Sequence, residues 1–225
     1  MKYVSLDIET TGTNPETDQI LSIGAVIEDT NNIKAFKDMP KFHGVIKRDK
    51  IQGGLYALNM NKTLLEIMTN YTFTEDEEER DAILAKHEVK FYNENEIVKE
   101  FYYFLAENGY YNDELTTLND YVTFRNGRML PTADSRNNSI TFNVAGKNFS
   151  NFDKLFLEKL PHWGTLVKPH RRVIDPAITF INWHKDETVP SLSKCKERAG
   201  YDKDVSHNAV HDAWDVIQLL RKEYD

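Results

Sequence analysis

The chain opens with two β-rich runs, Tyr3–Ile8 (YVSLDI) and Ile20–Glu28 (ILSIGAVIE). Between them lies TTGTNPETD, whose Gly12, Pro15 and acidic residues mark a turn. A third run, Lys41–Lys47 (KFHGVIK), completes an antiparallel meander, although Gly44 interrupts it. The period then lengthens. Asn61–Thr69 (NKTLLEIMT) and Ile97–Glu107 (IVKEFYYFLAE) read as helices, the second with Val98, Phe101, Phe104 and Leu105 at helical spacing and Gly109 as its stop. The acidic run Glu75–Arg80 reads as a solvated helix start.

Residues 116–142 are polar and irregular. Tyr121-Val122-Thr123-Phe124 and Ile140–Val144 flank a loop with its own Asn126-Gly127 turn, the pattern of an inserted hairpin or long loop. A strand over Thr141–Ala145 leads through Gly146-Lys147-Asn148 into a helix with NFDKLFLEKL as its body, for which Ser150 and Asn151 are both good N-caps. A further strand is expected at Arg172–Ile174, ahead of Asp175-Pro176. Ser191 caps a helix closed by Gly200, and the final helix covers about Ala209–Glu223. No repeat or low-complexity linker divides the chain, so a single α/β domain over 1–225 is expected, with a mixed sheet and helices packed on it.

The chain has 225 residues, of which 40% are hydrophobic, enough for one sizeable core and few for two. Its formal charge is −8. That is not the footprint of a protein that grips duplex DNA by charge alone, since such proteins neutralise many phosphates with Lys and Arg. It fits an enzyme that brings cations to a phosphate substrate, and equally an ordinary acidic soluble protein. Cys195 is the only cysteine, which excludes an internal disulfide and points to a reducing compartment. With no secretion signal and no apolar run of membrane-spanning length, a cytoplasmic location is expected.

Three short segments carry candidate chemistry. In Asp7-Ile8-Glu9, residues two apart on a strand point to the same side, so the two carboxylates emerge together. Side-by-side acids repel, more so when buried, and a hard divalent cation removes that cost. An isolated D-x-E is more often an exposed edge, but the apolar VSLDI around it reads as a buried central strand. Asp153, near a helix start, is already explained by the helix dipole. In Ser206-His207-Asn208-Ala209-Val210-His211-Asp212, two histidines four apart could bind zinc, but no Glu lies between them and no Cys accompanies them. In the alternative, His207 lies just ahead of the helix and Asp212 projects from its first turns. The acid then binds metal while the neutral imidazole reaches a water and accepts its proton.

SLDIETTG, NFSNFDKLFL and HNAVHDA, in that order, resemble the three exonuclease motifs of the DEDDh superfamily, which has a ribonuclease H-like fold. Asp7, Glu9, Asp153, His207 and Asp212 fill its five positions. A DEDDy relative would carry Tyr at position 208, where this chain has Asn208. The span between Glu9 and Asp153 is longer than the compact members need, which implies a large insertion within roughly 50–140.

The resemblance implies a 3′–5′ exonuclease acting on nucleic acid with a free 3′ end, single-stranded DNA for preference, and releasing nucleoside 5′-monophosphates. It implies two magnesium or manganese ions held by Asp7, Glu9, Asp153 and Asp212, with His207 as general base. Expected substrate contacts are Thr10, Thr11, Asn148, Phe152, Arg171 and Arg172. Phe149 and Phe152 are candidates for base stacking, with core packing the commoner use of such residues. Lys168, His170, Arg171 and Arg172 form the densest basic cluster, and Lys194, Lys196 and Arg198 the next. Short RNA as substrate and an inactive binding module are the alternatives.

Overall fold

A computed structural model describes residues 1–111, 122–133 and 139–225. In chain order it contains β1 (Lys2–Thr10), β2 (Ile20–Asp29), β3 (Lys41–Ile46), α1 (Leu55–Met60), α2 (Lys62–Phe73), α3 (Glu77–His87), β4 (Lys90–Tyr92) and α4 (Glu94–Glu107). These are followed by β5 (Val122–Arg125), β6 (Arg128–Pro131), β7 (Ile140–Phe142), β8 (Val144–Ala145), α5 (Asp153–Leu157), β9 (Val167–Pro169), α6 (Leu192–Ala199) and α7 (Ala209–Arg221).

The expected meander is present. Strands β1, β2 and β3 pair antiparallel, β4 adds parallel to β3, and β8 adds parallel to β1, giving a five-stranded mixed sheet in the order β4-β3-β2-β1-β8. Strand β1 is buried on both faces because apolar side chains alternate toward two cores. Val4, Leu6 and Ile8, with Ile23, Ala25 and Ile27 of β2, pack against Ile97, Val98, Phe101, Tyr102 and Leu105 of α4. On the other face Tyr3 and Val26 meet Val210, Ala213, Val216 and Ile217 of α7. Farther along that layer Leu64, Ile67 and Met68 of α2 cover Leu21 and Val45.

The inserted region between the first two motifs is folded onto this core, since β4 extends the sheet and α4 supplies its main apolar cover. Helix α4 starts at a capping box formed by Asn93 and Glu96, and α3 starts at Asp76, which accepts from the Glu79 N–H. The Asn126-Gly127 signal is borne out. Both residues have positive φ (48° and 77°) and turn β5 into β6, as a two-residue hairpin requires. Tyr121 and residues 134–138 of the expected loop lie outside the described residues.

Three expectations are corrected. The strand expected over Thr141–Ala145 is split. β7 pairs with β9, which was not anticipated, while β8 pairs with β1. Arg172–Ile174 is no strand; only Ile174 bridges to Ala145. Neither Ser150 nor Asn151 caps a helix. A 3₁₀ turn over Phe149–Asn151 intervenes, and α5 begins at Asp153 with no side-chain cap. No helix among the described residues is long and apolar enough to cross a membrane.

Candidate active site

Asp7 and Glu9 leave β1 on the face covered by α7 and α2, opposite Gly24 and Ser22 of β2. The register shifts between Glu9 and Thr10, a bulge that ends regular pairing where the site begins. Gly24 lets α7 sit directly on the sheet, since a Cβ there would lie 2.1 Å from the Ala209 carbonyl carbon and 2.3 Å from the Val210 nitrogen. The first turn of α7, which carries Asp212, is thereby brought down onto the strand that carries the first two acids.

The third motif is braced from several sides. The Asn208 side chain caps α7 by accepting from the N–H groups of Val210 and His211, both at 3.2 Å. Ser206 donates to Asp212 Oδ1 from its backbone N–H at 3.3 Å and from its hydroxyl at 2.9 Å. His207, between them, is held at φ 50°, a left-handed conformation uncommon for residues other than glycine. Buried Lys196 secures the preceding loop, pairing with Asp215 at 2.6 Å and donating to the Asp204 carbonyl. His207 lies ahead of the helix, and His211 packs its ring at a tilt against Phe36 at 5.4 Å, so the two histidines do not act as a helical zinc pair.

Asp153 reaches the same place from the other side. Strand β8 pairs with β1 only at Val4 and Ser5, and beyond it Asp153 Oδ1 accepts the Ile8 N–H at 3.1 Å. Ligand atoms of Glu9, His207 and Asp212 all lie within 4.8 Å of one another, a cluster that could coordinate a metal ion. Beside it, a cavity of about 130 Å³ is lined by Glu9, Ser22, His43, His207 and Asn208. The Ser22 hydroxyl and His43 Nε2 are buried there without a partner among the described residues.

Glu9, Asp153 and Asp212 are 7%, 3% and 5% exposed. Burial, then repulsion from Asp153, Glu9 and Asp212, raises Asp7 well above the usual carboxylate range. Burial and repulsion from Asp212 and Asp153 push Glu9 up to about 8, with the nearby Asn61 amide acting in the lowering direction. Burial raises Asp153 to about 7, although its own N–H and that of Ile8 hold it down. Asp212 is raised by burial and opposed by the Ser206 hydrogen bonds. No described lysine or arginine contributes to holding any of the four charged. Oxygen donors that repel one another, with no described lysine or arginine to balance them, fit a hard divalent ion.

The expected substrate contacts are less closely gathered. Thr10 Oγ1 donates to the Gly12 carbonyl at 2.7 Å, and the fully buried Thr11 hydroxyl accepts the Gln19 N–H at 2.9 Å, so both hydroxyls shape the turn after β1. Asn148 is left-handed (φ 58°) and donates its N–H to Asp175. Phe149 belongs to the core, and Phe152 is half-buried against Phe156 at 5.2 Å. Arg171 and Arg172 are exposed and form no ion pair with a described residue. The second basic cluster is not free. Lys194 pairs with Glu197, Lys196 with Asp215, and Arg198 with Asp186, at 2.6, 2.6 and 2.5 Å. Residues missed from sequence include Ser206, signalled only by its place before His207, and Asn61, for which its distance along the chain from Glu9 leaves no signal.

A mixed sheet with acids on its first strand, flanked by helices, is a ribonuclease H-like architecture. The chain belongs to the RNase T exonuclease family, whose profile, described as exonuclease, matches residues 4–141. Among curated proteins no significant match is found. Among solved structures, one of exonuclease I is 15% identical with a TM-score of 0.52, over 98% of this chain and 41% of that one. Escherichia coli exonuclease I in complex with a 5cy-dA13 oligonucleotide gives 15%, 0.51, 98% and 40%. The zinc-bound complex of the same enzyme with single-stranded DNA gives 17%, 0.50, 98% and 39%. These likenesses carry the fold, and the chain spans about two fifths of the length of each.

Proposed function

We propose that this chain is a metal-dependent 3′–5′ exonuclease that removes nucleoside 5′-monophosphates from the 3′ end of single-stranded DNA. The observation that carries the reading is the set of four carboxylates around β1, raised by burial and balanced by no described lysine or arginine, with His207 beside two of them. Asp7, Glu9, Asp153 and Asp212 would hold two magnesium or manganese ions. When bound, such ions supply positive charge to the oxygens of the scissile phosphate.

The protein's own groups account for the rest. A water oxygen bonds to phosphorus, and the bond from phosphorus to the 3′ oxygen of the penultimate nucleotide breaks. His207 accepts one water proton at an imidazole nitrogen, and the departing 3′ oxygen takes up a proton from solvent and leaves as a hydroxyl. The left-handed backbone at His207 and the Ser206–Asp212 hydrogen bonds fix the base relative to the acids. Arg171 and Arg172, exposed and unpaired with described residues, are assigned to the phosphates of the incoming strand. Single-stranded DNA is chosen because the oligonucleotide complexes of exonuclease I, similar in fold, contain it.

The test is a panel of 3′-labelled single-stranded DNA, duplex DNA and short RNA, each with magnesium and with EDTA, for the wild type and Asp7→Ala. The expected result is stepwise, magnesium-dependent release of mononucleotides from single-stranded DNA that Asp7→Ala abolishes. Equal turnover by the variant sinks the assignment. Preference for short RNA replaces the substrate, and binding without cleavage identifies an inactive module.

A further inference from the structure

Asn61 lies at the joint between α1 and α2 and is only 4% exposed. An asparagine before a helix ordinarily caps it, but here the side chain makes no cap hydrogen bond to α2. Main-chain bonds close the joint, from Asn61 N–H to the Ala57 carbonyl at 3.0 Å and from Leu65 N–H to the Asn61 carbonyl at 2.9 Å. The buried amide therefore has some other use.

Its contacts point to the catalytic strand. Asn61 Nδ2 donates to the Thr10 carbonyl and the Ala57 carbonyl, both at 3.1 Å, which fixes the amide orientation because both partners are acceptors. Thr10 directly follows Glu9 in β1. Thr10 lies just past the bulge, where its main chain has left the regular ladder with β2. A second tie is entirely backbone. Gly54 N–H donates to the Thr11 carbonyl at 2.9 Å, and Gly53 packs so close to Thr11 that a Cβ would lie 2.2 Å from its oxygen. Segment 53–61 thus grips the main chain of Thr10 and Thr11 at two points, immediately after Glu9.

We propose that Asn61 is a positioning residue, which clamps the Thr10 main chain so that the adjoining Glu9 presents its oxygens to a divalent cation in one fixed direction. This rests on the proposed exonuclease function. Groups that orient a metal-ligating carboxylate typically set metal affinity or activity by about 10–100-fold. Asn61→Ala releases the Thr10 main chain while leaving all four carboxylates in place.

The experiment measures Mn²⁺ binding by calorimetry without nucleic acid, then kcat and KM on single-stranded DNA, with thermal unfolding as the check on folding. For Asn61→Ala the expected result is Mn²⁺ affinity lowered about 10–100-fold, kcat lowered to a similar degree, and KM within about twofold of wild type. If the alanine variant is poorly folded, Asn61→Asp keeps the shape but removes the donors, and kcat should again fall by about tenfold or more with KM little changed. Wild-type Mn²⁺ affinity and kcat in a folded variant overturn the proposal, as does a loss accounted for by lowered thermal stability in both variants. If the wild type itself neither binds Mn²⁺ nor cleaves DNA, it is the exonuclease reading that fails.

Discussion

Asp153 Oδ1 accepts the backbone N–H of Ile8 at 3.1 Å, and Ile8 is the residue between Asp7 and Glu9. The second motif is therefore tied to the first through main chain, independently of any ion. Asp153→Asn can keep that bond through its carbonyl oxygen while removing one buried charge. In EDTA it should raise the unfolding temperature by several degrees, corresponding to about 1–2 kcal/mol of relieved repulsion and desolvation. Magnesium-dependent cleavage should fall by at least about 10²-fold. Thermal unfolding with and without magnesium tests both halves, and an unchanged midpoint in EDTA removes the electrostatic account.

The same charges set a pH dependence. Glu9 at about 8 and Asp153 at about 7 lie above the ordinary values of 4.5 and 3.8, and Asp7 and Asp212 are shifted the same way. Between pH 4 and 8 the folded state thus holds protons that the unfolded chain has released. Stability without metal must then fall as pH rises through that window and level off above it. A divalent ion replaces those protons, so its stabilising effect should grow over the same range. Unfolding midpoints at pH 5.5, 7 and 8.5, in EDTA and in magnesium, read the difference. A metal-induced shift that is constant with pH contradicts the raised carboxylates.

Much of this was legible in the sequence because it depends on local pattern. Alternation in YVSLDI fixes which way Asp7 and Glu9 point, Asn126-Gly127 specifies a hairpin turn, and Ser191 and Gly200 bound α6. The helix entry at Asp153 was misread because Ser150 and Asn151 look like caps locally, whereas the backbone turns left-handed at Asn148 and passes through a 3₁₀ turn first. The pairing of the basic cluster of α6 was not legible because its partners Asp186 and Asp215 belong to neighbouring segments. Asn61 is the clearest case of hidden information, since its hydrogen bond to Thr10 spans 51 positions.

His207 offers a ring nitrogen within 4.8 Å of ligand atoms on Glu9 and Asp212, so geometry alone would allow it to be a ligand or a base. The two roles separate experimentally. As a base, His207→Ala should lower kcat by about 10²–10⁴-fold while leaving Mn²⁺ affinity within a few-fold of wild type. Calorimetric titration of the folded variant decides, because loss of a ligand would weaken metal binding along with the rate.

Gly24 shows how far the site depends on a backbone contact remote from the chemistry. Its missing side chain is what allows the first turn of α7 to rest on β2, with the Ala209 carbonyl carbon 2.1 Å from where a Cβ would be. Main chain cannot swing aside as a flexible side chain can, so Gly24→Ala must lift α7 or distort β2. Overpacking of this kind costs about 1–3 kcal/mol, and a rigid backbone neighbour places it toward the upper end. The displacement acts on the end of α7 that holds Asn208, Asp212 and the preceding His207, while Asp7 and Glu9 stay on β1. Gly24→Ala should therefore lose kcat out of proportion to its stability, by about 10²-fold for a shift near 1 Å, at temperatures where it remains folded. Circular dichroism and single-turnover cleavage on the same sample separate the two effects. Full activity in a folded Gly24→Ala protein would show that α7 docking does not set the position of the third motif.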